Sequence, residues 1–198
     1  MNLDRIRERS ARRASRFKLV ALRHATAAAA CAAAAAIILY AVASAAPDQS
    51  HGKAVPIFGI KIYDGYRDWK LVSVAHEAGS LNDLRAILGN DTAIKAYREG
   101  KSEFPDGSVI ARLSWEYVPS AENNEVFGRE QSFVAGPQPE WYLQFMVKDS
   151  KKYASTGGWG YAQFDKDGNP TDEARLKTCF PCHIPAKTRD YVFTRYSP

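Results

Sequence analysis

The sequence predicts an α+β fold in which an antiparallel β-sheet dominates and a few helices lie at its edges. Two observations support this prediction. Short segments rich in β-branched and aromatic residues recur along the chain after residue 65, as is typical of strands. Most of these segments are joined by brief turns marked by glycine, proline or aspartate rather than by long helical crossovers, so we expect antiparallel pairing.

The first predicted element is a linker, residues 47–65, that contains several prolines and glycines. The domain proper is therefore predicted to cover residues 66–198. In chain order we predict a short strand at Ile60–Tyr63, a strand at Trp69–Val74, a segment at Leu81–Leu88 that fits either a helix or a strand, and a helix at Thr92–Arg98 that is capped by Asp91 and ended by Gly100.

Ser108–Tyr117 is the clearest strand, because its side chains alternate. One side carries Val109, Ala111, Leu113, Trp115 and Tyr117, and the other carries Ile110, Arg112, Ser114 and Glu116. The later elements are predicted to be a loop at Glu122–Pro139, a strand at Trp141–Val147, a helical turn at Asp149–Ala154, a strand at Gly158–Phe164, a turn at Asp165–Pro170, a helix at Thr171–Thr178 and a strand at Tyr191–Tyr196.

Residues 1–46 are predicted to be an export signal. Eight basic side chains within residues 1–24 precede an uncharged stretch from Ala25 to Ala46. Small residues before Ala46 suit cleavage by a signal peptidase, and an uncleaved signal anchor is the alternative, which would be the chain's one contact with a membrane. We therefore expect export by the general secretory route and a periplasmic location.

The charge of the exported part argues against nucleic-acid binding. The whole chain has 27 basic and 22 acidic residues, and the predicted leader contains eight of the former and two of the latter. The remaining 19 basic and 20 acidic residues nearly balance, so the electrostatic basis for a nucleic-acid partner is lost.

The string Cys179-Phe180-Pro181-Cys182-His183 is the attachment signature of a c-type haem. On a helical turn, cysteines three residues apart lie on one face and can each form a thioether to a haem vinyl group, while the adjacent imidazole reaches the iron. We expect one covalently bound haem c per chain, held by Cys179 and Cys182, with His183 as the iron ligand on the proximal side.

Two other uses of the motif are possible. A structural zinc site would need further ligands, and His51 and His76 do not repeat the paired spacing that such sites show. A redox disulfide of the thioredoxin kind belongs after an early strand of a βαβ unit, whereas this motif lies close to the C-terminus. Haem is therefore favoured over zinc or a redox pair.

The sequence from about Tyr66 to Pro198 resembles the cytochrome P-460 family. The resemblance rests on Tyr66-Arg67-Asp68-Trp69, Asp106-Gly107-Ser108-Val109, Val147-Lys148-Asp149-Ser150-Lys151 with Trp159, and above all Cys182-His183 followed by Ala186-Lys187-Thr188 and Val192-Phe193-Thr194-Arg195-Tyr196. It implies a periplasmic homodimer of β-sheet subunits, each with one five-coordinate c-type haem whose distal side, opposite His183, is open.

The resemblance also implies two alternative functions. Enzyme members of the family use a lysine cross-linked to the porphyrin to oxidise hydroxylamine, and a sister group, the beta-type cytochromes c prime, lacks the cross-link and binds nitric oxide. Alignment places Arg112 at the lysine and Gln144 at the enzymes' distal carboxylate, while a distal arginine is matched at Arg85. A guanidinium is a poor nucleophile and an amide cannot take a proton at neutral pH.

We therefore predict a protein that binds nitric oxide or a related small nitrogenous ligand, with Arg85, Arg112 and Gln144 as distal candidates. Strand alternation predicts that Tyr142, Gln144 and Met146 share one face. Whether the protein is an enzyme is left open; if it is, a haem oxidoreductase acting on hydroxylamine or nitric oxide is expected.

An electron-transfer cytochrome, with another cytochrome as redox partner, is the alternative from a different class. It would need a second strong axial ligand, for which the exported chain offers Met146, His76 and His51. We expect Arg195 in the last predicted strand to have a propionate or structural role.

Overall fold

The computed structural model of the protein describes residues 50–197. The predicted leader and Cys31 lie outside this part of the chain. The described strands are β1 (Ser50–His51), β2 (Ile62–Tyr63), β3 (Lys70–Glu77), β4 (Asp83–Gly89), β5 (Val109–Pro119), β6 (Phe133–Ala135), β7 (Leu143–Lys148) and β8 (Trp159–Phe164). The described helices are α1 (Asp91–Arg98), α2 (Ala121–Phe127), α3 (Glu173–Lys177) and α4 (Cys179–His183), with 3-10 turns at Tyr66–Asp68, Ala154–Thr156 and Ile184–Arg189.

One antiparallel sheet forms the centre of the described domain. Its strand order is β3-β4-β5-β7-β8, and β6 pairs with the far end of β5. β1 and β2 form a separate small antiparallel pair. The α+β class predicted from the sequence is confirmed, and the ambiguous Leu81–Leu88 segment is mostly strand.

The two faces of the sheet differ in chemistry because the strands alternate as predicted. One face is apolar and buried, and Phe145 at its centre makes edge contacts with Tyr63, Tyr66 and Phe164. On the other face Arg112 of β5 pairs directly with Gln144 of β7, which pairs in turn with Gln163 of β8. The sheet register therefore brings polar side chains from three strands into one row.

The segment predicted as a linker contributes to the core. Val55, Phe58, Ile60 and Ile62 are all buried. A hydrogen bond from Val55 N–H to the Ile60 carbonyl closes the chain into a loop. Burial of these side chains is the favourable term that orders the segment, so the packed domain begins before Tyr66.

Helix α1 is capped by Asn90 rather than by the predicted Asp91. The Asn90 side-chain oxygen accepts hydrogen bonds from the N–H groups of Ala93 and Val109, both at 3.0 Å, and its amide donates to the Gly107 carbonyl at 2.8 Å. One side chain thus caps the helix and ties it to the start of β5.

Two predicted elements are wrong. The predicted loop at Glu122–Pro139 contains α2, capped by the Ser120 hydroxyl, and the short strand β6. The predicted strand at Tyr191–Tyr196 is absent from the described chain, where residues 192–197 have no assigned secondary structure. Asp190 and Tyr191 both adopt a left-handed backbone, with φ of 51° and 62°, and this turn directs the chain away from a strand path.

No helix within residues 50–197 has the length and apolar character needed to cross a membrane.

Candidate haem-binding site

Helix α4 contains the Cys-x-x-Cys-His motif, Cys179 to His183. It follows α3 through Thr178, whose φ of −83° and ψ of −15° remain helical, so Cys179 and Cys182 lie one turn apart. Both are free thiols. His183 ends the helix, and its ring lies 5.1 Å from those of Tyr161 and Phe193, measured between centroids.

The orientation of His183 is fixed by one hydrogen bond. Its Nδ1 lies 2.7 Å from the Tyr191 carbonyl oxygen. Because a carbonyl only accepts, Nδ1 carries the proton and Nε2 is left with a lone pair. Burial lowers the pKa of His183, which favours the neutral imidazole that a metal requires.

A cavity of about 420 Å³ lies between His183 and the polar row of the sheet. The C-terminal segment supplies Val192 and Phe193 to its wall, beside His183. The sheet supplies Arg112, Gln144 and most of the remaining lining residues. The lining also includes Ile87, Ile110 and Met146 among its apolar members and Ser73, Glu77, Arg85, Thr194, Arg195 and Ser197 among its polar ones.

A second cavity, of about 450 Å³, adjoins the first and reaches Cys179. It shares Arg85, Arg112 and Gln144 with the first cavity and adds Cys179 and Trp141 to the lining. The two adjoining cavities, together termed the groove, therefore bring Cys179, His183 and all three distal candidates into one region of the domain.

Two carboxylates hold the distal arginines. The buried Asp83 accepts from Arg85 Nε at 2.7 Å through one oxygen and from Arg112 at 2.6 Å through the other. Glu77 accepts a further hydrogen bond from Arg85 at 2.7 Å. Burial, and then the nearby Arg85 charge, lower the pKa of Arg112 to about 10, so its guanidinium is still a cation at neutral pH.

Two polar groups on this wall lack partners within the described chain. The Arg112 Nε is buried and makes no hydrogen bond there. The Gln144 side chain also makes none within residues 50–197, although it lines both cavities. An unsatisfied buried donor is costly, so Arg112 Nε fits a site that a further molecule completes, and the half-buried Gln144 amide is free to contact the same molecule.

The thiols do not have the character of a redox or zinc site. Burial, followed by the neighbouring Cys182, raises the pKa of the Cys179 thiol to about 11, whereas reactive and metal-binding thiols have a lowered pKa. Residues 50–197 also contain no group of three or more His, Cys, Asp and Glu side chains that could hold a metal ion.

These observations fit a haem held on α4. A haem needs a flat groove with an apolar wall, a free imidazole nitrogen facing it and two cysteines at its edge. The groove provides apolar Ile87, Ile110 and Met146, the unprotonated nitrogen of His183, and Cys179 at its end.

The three possible sixth ligands are not equivalent. Met146 lines the same cavity as His183. His76 instead stacks on Tyr117, with ring centroids 4.0 Å apart, and contacts Asn82. His51 is paired with Asp64 beside the small β1–β2 sheet.

One predicted neighbour of Gln144 points elsewhere. The Tyr142 hydroxyl lies 3.4 Å from that of Tyr66, whose ring packs on Phe145 in the core. The alternation therefore holds for Gln144 and Met146 but not for Tyr142, which precedes the regular part of β7.

Sequence reasoning missed Asp83. Its signal was present, because Asp83 lies two residues before Arg85 and strand alternation places both on one face. The uncertainty between helix and strand for residues 81–88 hid this relation.

Comparison with known proteins places the chain in a family. A search of curated proteins found no match. The family model described as Cytochrome P460 matches residues 63–194. This match spans more than half of the chain and contains both cysteines, His183 and the three distal candidates, so the chain belongs to the cytochrome P460 family and is a haem-binding cytochrome.

Proposed function

We propose that the protein is a periplasmic c-type cytochrome that binds nitric oxide or a related small nitrogenous ligand. One haem per chain is attached through Cys179 and Cys182, with His183 as its proximal ligand. The observation that carries this proposal is the cavity that His183 shares with Arg112 and Gln144. When bound, haem supplies an iron that can accept a small ligand and exchange one electron.

The protein's own residues would orient and polarise the ligand. Arg112 Nε and the Gln144 amide are donors without partners in the described chain, and both residues line the same cavity as His183. A preorganised donor is most effective where water is excluded and negative charge accumulates on the ligand. Asp83 would keep the two guanidinium groups in place without a cost at the moment of binding.

Hydroxylamine oxidation, the alternative within the family, is less well supported. The position that aligns with the cross-linking lysine is Arg112, and the one that aligns with the enzymes' carboxylate is Gln144. The nearby carboxylate of Asp83 is committed to two arginines, so it is a poor general base.

Electron transfer is the second candidate, because Met146 lines the cavity that His183 faces. A thioether can complete six-coordinate haem iron. Met146 lies beside Ile110 in the sheet, and this position equally suits packing of the Met146 side chain against the face of the haem. A redox partner cytochrome belongs to this candidate.

We propose a homodimer as the assembly, formed through the arm of α2 and β6. Val126, Phe127, Phe133 and Val134 on this arm are exposed, Val126 by 78%. Exposed apolar groups concentrated on one projection are typical of an interaction surface. Light scattering of the exported protein is expected to give twice the chain mass.

Intact mass tests the attachment. The exported chain should carry the added mass of one haem, and acid-acetone extraction should leave the colour with the protein. Replacing Cys179 and Cys182 together by serine should make the haem extractable, whereas His183→Ala should retain the covalent bond and change the iron spectrum. Bound zinc or extractable haem in the wild-type protein would contradict the proposal.

A further inference from the structure

We propose that the buried ion pair between Lys148 and Asp190 is a positioning device for the proximal ligand. It holds the turn that presents the Tyr191 carbonyl to His183, and so tunes the electron density that the imidazole gives to the iron. This inference rests on the proposed function, because it takes His183 to be the iron ligand.

The pair is closely made and sheltered from water. Lys148 Nζ lies 2.7 and 2.9 Å from the two oxygens of Asp190, and the side chains are 10% and 5% exposed. The same ammonium donates to the Gly157 carbonyl at 3.3 Å and lies 5.2 Å from the centre of the Trp159 ring. Asp190 also accepts from the Phe104 N–H at 2.9 Å.

The turn that the Lys148–Asp190 pair anchors has a backbone conformation that is unfavourable for the residues that form it. Asp190 and Tyr191 are consecutive left-handed residues without being glycine. Such a backbone persists where surrounding contacts determine it, and strain of this kind is concentrated at functional sites. β7, which carries Lys148, and the segment at Phe104 thus fix Asp190 from two directions.

The Tyr191 ring is held separately. It packs on Phe180 of the haem-attachment helix, with centroids 5.3 Å apart. It also approaches the backbone so closely at Gly157 that a Cβ there would lie 2.3 Å from the ring. The Tyr191 side chain and the preceding residue, Asp190, are both fixed, so the Tyr191 carbonyl is held in one direction.

The Tyr191 carbonyl oxygen points to His183 Nδ1, which lies 2.7 Å away. The hydrogen bond that a ligating histidine donates from its second nitrogen sets its ring orientation and raises its basicity. A more basic imidazole stabilises ferric over ferrous iron and lowers the reduction potential. Loosening the turn should therefore weaken the iron–histidine bond and raise the potential.

The test compares haem-loaded full-chain variants by potentiometric titration and by the iron–histidine stretching band of the ferrous form. Asp190→Asn keeps the size and an acceptor for Phe104, and Lys148→Met removes the cation. Both should raise the ferrous-to-ferric ratio at a fixed potential about tenfold, which is about 59 mV for one electron. Both should also move the stretching band to lower frequency.

Two further variants complete the test. Ile94→Ala, a core truncation in α1, is the control for general loosening and should leave the potential and the band unchanged. Gly157→Ala displaces the Tyr191 ring without altering charge and should shift both in the same direction as Asp190→Asn. If neither charge variant folds with haem, Gly157→Ala decides alone.

The inference is overturned if folded Asp190→Asn has the wild-type reduction potential and stretching band. Where neither charge variant folds with haem, a wild-type potential and band in Gly157→Ala overturns it. It is also overturned if Ile94→Ala shifts the potential and the band as much as the test variants do. His183→Ala separates these results from failure of the proposed function. If that variant keeps the wild-type band, His183 is not the iron ligand and the proposed function itself fails. If it loses the band while Asp190→Asn keeps it, the proposed function stands and this inference fails.

Discussion

At the scale of single residues, the proposed function depends on Arg112 and Gln144. They are direct neighbours on β5 and β7, and both line the same cavity as His183. A lysine and a glutamate at these positions would supply a nucleophile for a porphyrin cross-link and a general base.

The first prediction concerns this pair. Arg112→Lys combined with Gln144→Glu should raise hydroxylamine oxidation by about a hundredfold or more over wild type, because a positioned general base typically contributes that factor. Gln163→Glu is the matched control, since Gln163 lies in the same row, one strand away, and borders only the second of the two cavities described. Equal activity in both variants, or robust turnover by wild type with an electron acceptor, would contradict the proposed roles.

Strand alternation could place Arg112 with Ile110 and Gln144 with Met146, because both pairs lie in regular strands. That the two pairs share one face of the sheet could not be predicted, because strand register depends on pairing between β5 and β7. Asp83 was missed for the same kind of reason: its relation to Arg112 spans two strands.

At the scale of elements, Asn90 links α1 to the strand that carries Arg112. Asn90→Ala removes three hydrogen bonds and should lower the free energy of unfolding by about 2 kcal/mol, combining a lost cap with an unpaired Val109 N–H. Asp91→Ala should cost much less than Asn90→Ala, because the ion pair of Asp91 with Lys70 is exposed to water. Denaturant unfolding of both variants tests this, and an equal loss would contradict it.

A second element-scale prediction concerns acid stability. Hydrogen bonds from the Ser150 N–H and then from its hydroxyl lower the pKa of Asp106, which joins the turns before β5 and after β7. A carboxyl whose pKa is lower in the folded state stabilises the protein above its unfolded pKa and loses that contribution as the pH falls through the folded value. Wild type should therefore exceed Asp106→Asn in stability at pH 7. The difference should shrink as the pH falls below 3.8, the ordinary aspartate pKa, and a gap that widens in acid would contradict this account.

The elements that sequence reasoning missed are those without a strong periodic signal. α2 and β6 form within a polar segment, and four residues of the predicted C-terminal strand, Val192, Phe193, Thr194 and Arg195, line the cavity instead of pairing. The deciding feature there is the left-handed turn at Asp190 and Tyr191, which depends on Lys148 from a distant part of the chain.

At the scale of the whole molecule, the sheet and the C-terminal segment form the two sides of the groove. The α+β class followed from local patterns. The contribution of residues 55–62 to the core did not, because a few apolar residues among glycines and prolines give no periodic signal and resemble a linker.

The central claim is an open iron site on a haem held by His183. Visible absorption spectra of the reduced wild-type protein, recorded before and after addition of nitric oxide, test it most directly. The account predicts a five-coordinate, high-spin spectrum before addition, with a Soret band where ordinary high-spin c-type haems absorb, and a new spectrum after it. A six-coordinate, low-spin spectrum without added ligand, unchanged by nitric oxide and lost in Met146→Ala, would contradict the claim and establish Met146 as the second axial ligand.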